Sequence, residues 1–292
     1  MSGVADAIVV GVDGSAQALD AVGWAAAEAG RRNLRLHLVS GFDSSLGFYG
    51  AGLPIPPDSF DAVENLALTQ LADAARAARD VAPGVEVTTE RGRLSPIPLL
   101  LDYSSSARMI VLGASGRGGF TGMLVGSTAV SVAARSSCPV VVVRPDRDGP
   151  VVAGVDGSPN STAALAAAFD EASWRGVPLV AVHSWSDADY VTDAPIAAAL
   201  LETEPTEEEQ TRVLAESLAG WQEKYPDVRV ERVVVKDRPR HQLLGWSAKA
   251  CLIVVGSRGR GGFQGLLLGS TSQALIHHAQ CPVMIIRPRE HG

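Results

Sequence analysis

Gly11-Val12-Asp13-Gly14-Ser15 closes the β-branched run Ile8–Val12, and 143 positions on (11 to 154) Gly154-Val155-Asp156-Gly157-Ser158 closes Val151–Val155. The same offset carries Val111-Leu112-Gly113 onto Val254-Val255-Gly256, and Gly126-Ser127-Thr128 onto Gly269-Ser270-Thr271. It also carries Cys138-Pro139-Val140 onto Cys281-Pro282-Val283 and Arg144-Pro145 onto Arg287-Pro288. So strict a repeat is a tandem duplication. Its joint falls near Arg147–Pro150, where charge, Gly and Pro cluster, so the first domain is read as residues 1–147 and the second as 148–292.

Each copy alternates strands with helices. Ile8–Val12 and Val151–Val155 read as strands buried on both faces. Ser15 and Ser158 then stand as helix N-caps, with Pro159 at the first helical position. The Ala-rich stretches Ala16–Gly30 and Asn160–Gly176 read as helices that stop at Gly. Second strands are expected at Leu34–Ser40 and Pro178–His183, and third strands at Val85–Thr89 and Val228–Val235. Fourth strands fall at Met109–Gly113 and Leu252–Gly256, and fifth strands at Val140–Val143 and Val283–Ile286. Helices open at Ser95-Pro96 and near Asp237 to Pro239, and Thr206 with Glu209 has capping-box spacing. This order predicts an α/β fold of two tandem doubly wound, Rossmann-like domains, each a five-stranded parallel sheet with helices on both faces. Such sheets bind ligands beyond the carboxyl ends of their strands, where strand order reverses. Asp13, Asp156 and the Gly-rich segment after the fourth strand lie there.

That segment runs Gly113-Ala114-Ser115-Gly116-Arg117-Gly118-Gly119 and on to Gly126-Ser127-Thr128 in the first copy. In the second it runs Gly256-Ser257-Arg258-Gly259-Arg260-Gly261-Gly262 and on to Gly269-Ser270-Thr271-Ser272. Glycines let backbone N–H groups approach an anion without Cβ interference. The closing Gly-Ser opens a helix, Thr128–Ser136 or Thr271–Ala279, whose N-terminus offers unpaired amides and partial positive charge. Arg117, Arg258 and Arg260 could add charge-assisted contacts. Glycines after a buried strand can also serve only a tight turn, and Ser127 and Ser270 only as N-caps. The loop's length, its place before a helix and its repetition favour a phosphate site. A Walker loop is absent, since the chain has no Gly-Lys pair, and the Rossmann G-x-G-x-x-G does not follow the first strand. Ser115 stands opposite Arg258, so the second copy gains a cation.

The spacing G-x2-G-x9-G-[ST] is met by Gly113, Gly116, Gly126 and Ser127, and again by Gly256, Gly259, Gly269 and Ser270. It resembles the ATP-binding signature of the universal stress protein family, as do Gly-Val-Asp-Gly-Ser and Cys-Pro-Val, over essentially the whole chain. The resemblance implies ATP in each domain, alone or with Mg or Mn. Asp13 and Asp156, with Gly11 and Gly154, would then contact the adenosine, while the loop glycines and terminal Ser would hold the phosphates. The loop after the second strand would lie against the base. Phe42-Asp43 and Trp185-Ser186-Asp187 occupy that place, with Asp187 a partner for adenine or ribose. A homodimer, an unidentified protein partner and a nucleotide-dependent role in the stress response are implied as well.

Hydrophobic residues at 46% and charged residues at 20% exclude a disordered chain. The formal net charge is −7, with 12 basic against 14 acidic residues in 1–147 and 13 against 18 in the remainder. Neither half has the basic excess that nucleic-acid binding requires. Three cysteines without a C-x-x-C pair do not suit a disulfide framework or a zinc ribbon, and fit a reducing cytoplasm. The start lacks a basic n-region and no apolar run approaches about 20 residues, so neither secretion nor membrane insertion is expected. The six histidines have no metal-ligand spacing, and no Ser, His and Asp set falls on one site. The expected function is therefore an ATP-binding regulator without catalytic residues. A slow ATPase or phosphotransferase is the alternative, and a scaffold with vestigial sites a third reading.

Overall fold

The computed structural model describes residues 6–41, 48–49, 53–54, 57–116, 125–185, 205–260 and 267–288. They fall into two compact units, one ending at Asp146 and the other running from Arg147 to Pro288.

The first unit contains β1 (Ile8–Gly11), α1 (Ala16–Arg32), β2 (Leu36–Ser40), β3 (Phe48–Tyr49), β4 (Leu53–Pro54) and α2 (Pro57–Val81). It continues through β5 (Val87–Arg91), α3 (Pro96–Tyr103), β6 (Met109–Gly113), α4 (Ser127–Arg135) and β7 (Val140–Val143). β3 and β4 form a short antiparallel pair. The other strands make a parallel sheet in the order β7-β6-β1-β2-β5. The register sets Ile8 beside both Leu36 and Met109, and Ile8, Val9 and Val10 are fully buried. A central strand covered on both faces must be apolar at every position, which is why the run shows no alternation. The edge strand β5 leaves Thr88, Thr89 and Glu90 exposed and is correspondingly polar. α1 packs with α2, and α3 with α4.

The second unit contains β8 (Val151–Gly154), α5 (Pro159–Arg175), β9 (Leu179–Ser184), α6 (Glu207–Leu218) and α7 (Trp221–Lys224). After these come β10 (Val230–Val235), α8 (Pro239–Ser247), β11 (Leu252–Gly256), α9 (Ser270–His278) and β12 (Val283–Ile286). Its parallel order is β10-β9-β8-β11-β12. Strand order therefore reverses between β1 and β6 in one unit and between β8 and β11 in the other, the place where a doubly wound sheet has its ligand crevice.

Local signals decide where elements stop. The Ser15 hydroxyl accepts the Ala18 N–H at 3.1 Å, and Ser158 does the same for Ser161 at 3.2 Å. Gly176 ends α5 in the left-handed region, as expected. α1, by contrast, runs through Gly30 and ends at Asn33, whose φ is 51°; Asn is the next best residue for that conformation. Strands β5 and β10 start two residues later than expected. The amides of Val85 and Val228 are tied instead to the carbonyls of Ala82 and Tyr225 in turns. Thr206 and Glu209 form the capping box reciprocally.

Candidate functional site

The crevice of the first unit begins where β1 ends. Asp13 Oδ1 accepts the Ser15 N–H at 3.0 Å, and Gly14 between them adopts φ +77°, open to Gly at little cost. In the second unit Asp156 Oδ1 accepts from Ser158 N and Oδ2 from Arg260 N, each at 2.9 Å. Burial alone would raise the Asp156 carboxyl, but hydrogen bonds from Ser158, Arg260 and Ser161 outweigh it and hold the pKa below the ordinary value. In the second unit Asp156 thus pins the glycine loop to the β8 turn.

The two aspartates also account for a pair of the loop glycines. A Cβ at Gly116 would collide with Asp13 Oδ2, and one at Gly259 would lie 2.5 Å from Asp156 Oδ2. These two glycines admit their own aspartates. Gly113 and Gly256 serve helix packing: a Cβ there would sit 2.6 Å from the Gln17 carbonyl oxygen and 2.8 Å from Asn160 Cβ. Gly11 is closed by the Leu112 side chain at 2.7 Å, and Gly154 by Leu243 and Val255 at 3.0 Å.

Gly126 and Gly269 are different. They are the N-caps of α4 and α9, both with φ −72°, a conformation open to any residue. A Cβ at Gly126 would meet nothing nearer than 3.7 Å, and one at Gly269 nothing nearer than 3.4 Å. Their amides donate to the carbonyls of Ala114 and Ser257 at 2.8 Å, and no side chain caps either helix. Ser127 and Ser270, which the sequence also allowed as caps, are instead the first helical residues and are exposed. Gly116 N lies 3.7 Å from the point over Gly126 where a side chain would begin, and Gly259 N lies 3.7 Å from the same point over Gly269. Helix amides, loop amide and absent side chain therefore converge on one spot in each unit.

A cavity of about 420 Å³ adjoins this spot in the first unit. Gly11, Asp13, Gly113, Ser115, Gly116, Gly126, Ser127 and Thr128 border it. Val39, Gly41, Leu99 and Leu100, which the sequence does not single out, border it too. The signal for Leu99 and Leu100 is Pro96, which opens the helix that carries them. Asp13 is the one ionisable residue among these neighbours. Ala114 is buried and stays out of the lining. Ser272 is buried and its hydroxyl donates to the Gly256 carbonyl at 2.7 Å, which makes it part of the support rather than of the surface. Thr271 follows Ser270 in the first turn of α9. Arg117, Gly118, Gly119, Asp187, Gly261 and Gly262 lie outside the described residues, as do Phe42 and Asp43.

Among the described residues no group of three or more His, Cys, Asp or Glu is placed to hold a metal ion. Asp156 has already committed both oxygens to backbone amides. The buried His183 bonds Val155 O through Nδ1 at 2.7 Å and Gln210 through Nε2 at 2.8 Å, so it is a strut in the core. Cys138, Cys251 and Cys281 are buried and form no disulfide. No helix among the described residues is long and apolar enough to cross a membrane.

The model of the universal stress protein family matches residues 5–144 and again 149–287. The chain is 42% identical over 290 residues to universal stress protein Rv2005c of Mycobacterium tuberculosis, spanning 96% of each chain. It is 38% identical, with the same coverage, to universal stress protein Rv2623 of that organism. A solved universal stress protein from Archaeoglobus fulgidus shares the fold at a TM-score of 0.69 and 17% identity, over 99% of this chain and 98% of that one. Two repeats, a parallel strand order within each unit and two matches to one family model lead to one conclusion: the chain belongs to the universal stress protein family, as a tandem pair of its domains.

Proposed function

We propose that the chain is a stress-response regulator that binds ATP in each unit and holds it rather than turning it over. The observation that carries this reading is the glycine at the N-cap of α4 and α9. Neither backbone conformation nor packing requires Gly there, and Ser, Asp or Asn would cap better. A side chain would, however, enter the space shared by the first helical amides and Gly116 or Gly259. A ligand phosphate explains why that space is kept clear. The neighbouring cavity, about 420 Å³ in the first unit, falls in the roughly 300–1,000 Å³ range of small-molecule sites. Its apolar wall suits a base and sugar. A divalent cation would arrive on the phosphates, because the aspartates are already engaged.

Among the described residues bordering the cavity the one ionisable side chain is Asp13, whose Oδ1 accepts the Ser15 amide. Turnover should therefore be far below the roughly 10 per second of a median enzyme. Purified protein, denatured and analysed by mass spectrometry, should release unhydrolysed adenine nucleotide. Metal-dependent steady-state hydrolysis at ordinary rates would favour an ATPase or phosphotransferase instead. Light scattering of the full chain tests the implied homodimer, which a monomer would overturn.

A further inference from the structure

Equivalent positions around the two crevices differ in polarity in one direction. Gly41, Leu99 and Ser115, which border the cavity of the first unit, become Ser184, Gln242 and Arg258 in the second. Ser184 donates to the Asp237 carbonyl, and Gln242 Nε2 donates to Asp237 Oδ2 at 2.7 Å, so one wall of the second crevice is a polar network. Two donors in the loop after β11 are buried and find no acceptor among the described residues: Ser257 Oγ and Arg258 Nε. Both follow β11, and the Arg258 Cα lies 3.4 Å from where a Gly269 side chain would begin. Asn160 Nδ2 fixes the Arg258 carbonyl at 3.1 Å, so the residue is held in place. A buried donor without an acceptor destabilises the protein unless something completes it.

We infer that the two crevices differ in specificity, and that Arg258 makes the second unit selective for a nucleoside triphosphate over a monophosphate. The first unit, with Ser115 in that place, discriminates far less. This rests on the nucleotide reading above. The helix N-terminus and loop amides are common to both units and serve one phosphate equally well. An added guanidinium contributes in proportion to the charge beyond that phosphate, through charge-assisted hydrogen bonds.

Calorimetric titration of the full chain with AMP and with ATP tests this. Gly126→Asp leaves only the second unit competent, and Gly269→Asp only the first; circular dichroism checks that both variants fold. In Gly126→Asp protein ATP should bind at least about tenfold more tightly than AMP, the size expected of a charged hydrogen bond. Arg258→Ser in that background should remove most of the preference by weakening ATP, and Arg258→Lys should restore part of it. In Gly269→Asp protein the ATP to AMP ratio should be within about threefold, and Ser115→Arg should raise it. Equal ratios in the two units, or equal weakening of AMP and ATP by Arg258→Ser, would overturn the inference while leaving nucleotide binding intact. If neither nucleotide binds the unmodified chain, the functional reading falls first and the inference with it.

Discussion

At the scale of single residues, glycines of one loop separate into those the fold needs and those it does not. Gly113→Ala should lower stability by about 1–3 kcal/mol, the usual cost of overpacking, because its methyl would press on the Gln17 backbone. Gly126→Asp should leave stability unchanged or raise it by a few tenths of a kcal/mol, because Asp is a favoured N-cap. Denaturant melts of the two variants check this contrast, and a Gly126→Asp loss as large as that of Gly113→Ala would contradict it. Asp156 makes a pH prediction. Its folded pKa lies below the unfolded value, so the ionised form is favoured by folding. That stability is complete above about pH 4 and is lost as the pH falls through the folded value. Asp237 behaves in the same way, held at about 2 by bonds from His241, Gln242 and the Arg238 amide. Asp156→Asn should be less stable at pH 7 and should show a shallower decline in acid; an unchanged acid limb would count against the pinning role.

At the scale of elements, strands and helices were largely legible because apolar runs, Pro and capping residues act locally. Two strand starts shifted where a turn took an amide that the pattern assigned to a strand, at Val85 and Val228. Buried ion pairs were not legible. Glu28 with Arg32 on α1, and Glu171 with Arg175 on α5, have an i,i+4 spacing that solvent-exposed and buried helix pairs share. Both pairs are buried: Glu171 is 2% exposed and Arg175 8% at the side chain, with a 3.1 Å contact. Removing one partner of such a pair strands the other charge in the interior. Glu171→Gln should therefore cost about 3 kcal/mol or more, visible by scanning calorimetry as an earlier melt of the full chain. A change within about 0.5 kcal/mol, the range of surface substitutions, would show that water reaches the pair.

At the scale of the whole molecule, the repeat with its 143-position offset announced the duplication and, through the topology of a doubly wound sheet, where a candidate site falls in each unit. The roles of individual loop residues were less legible. Sequence spacing cannot tell a glycine that admits Asp13 from one that leaves a helix terminus open, because that depends on what stands opposite in space. The apolar wall from Leu99 and Leu100 was hidden for the same reason. What remains is the claim that each unit holds one adenine nucleotide at its uncapped helix. Native mass spectrometry of the intact chain in saturating ATP tests it most directly. The account predicts two nucleotides on the unmodified protein, one on Gly126→Asp, one on Gly269→Asp and none on the folded double variant. A single nucleotide on the unmodified chain, or two retained by the double variant, would contradict it.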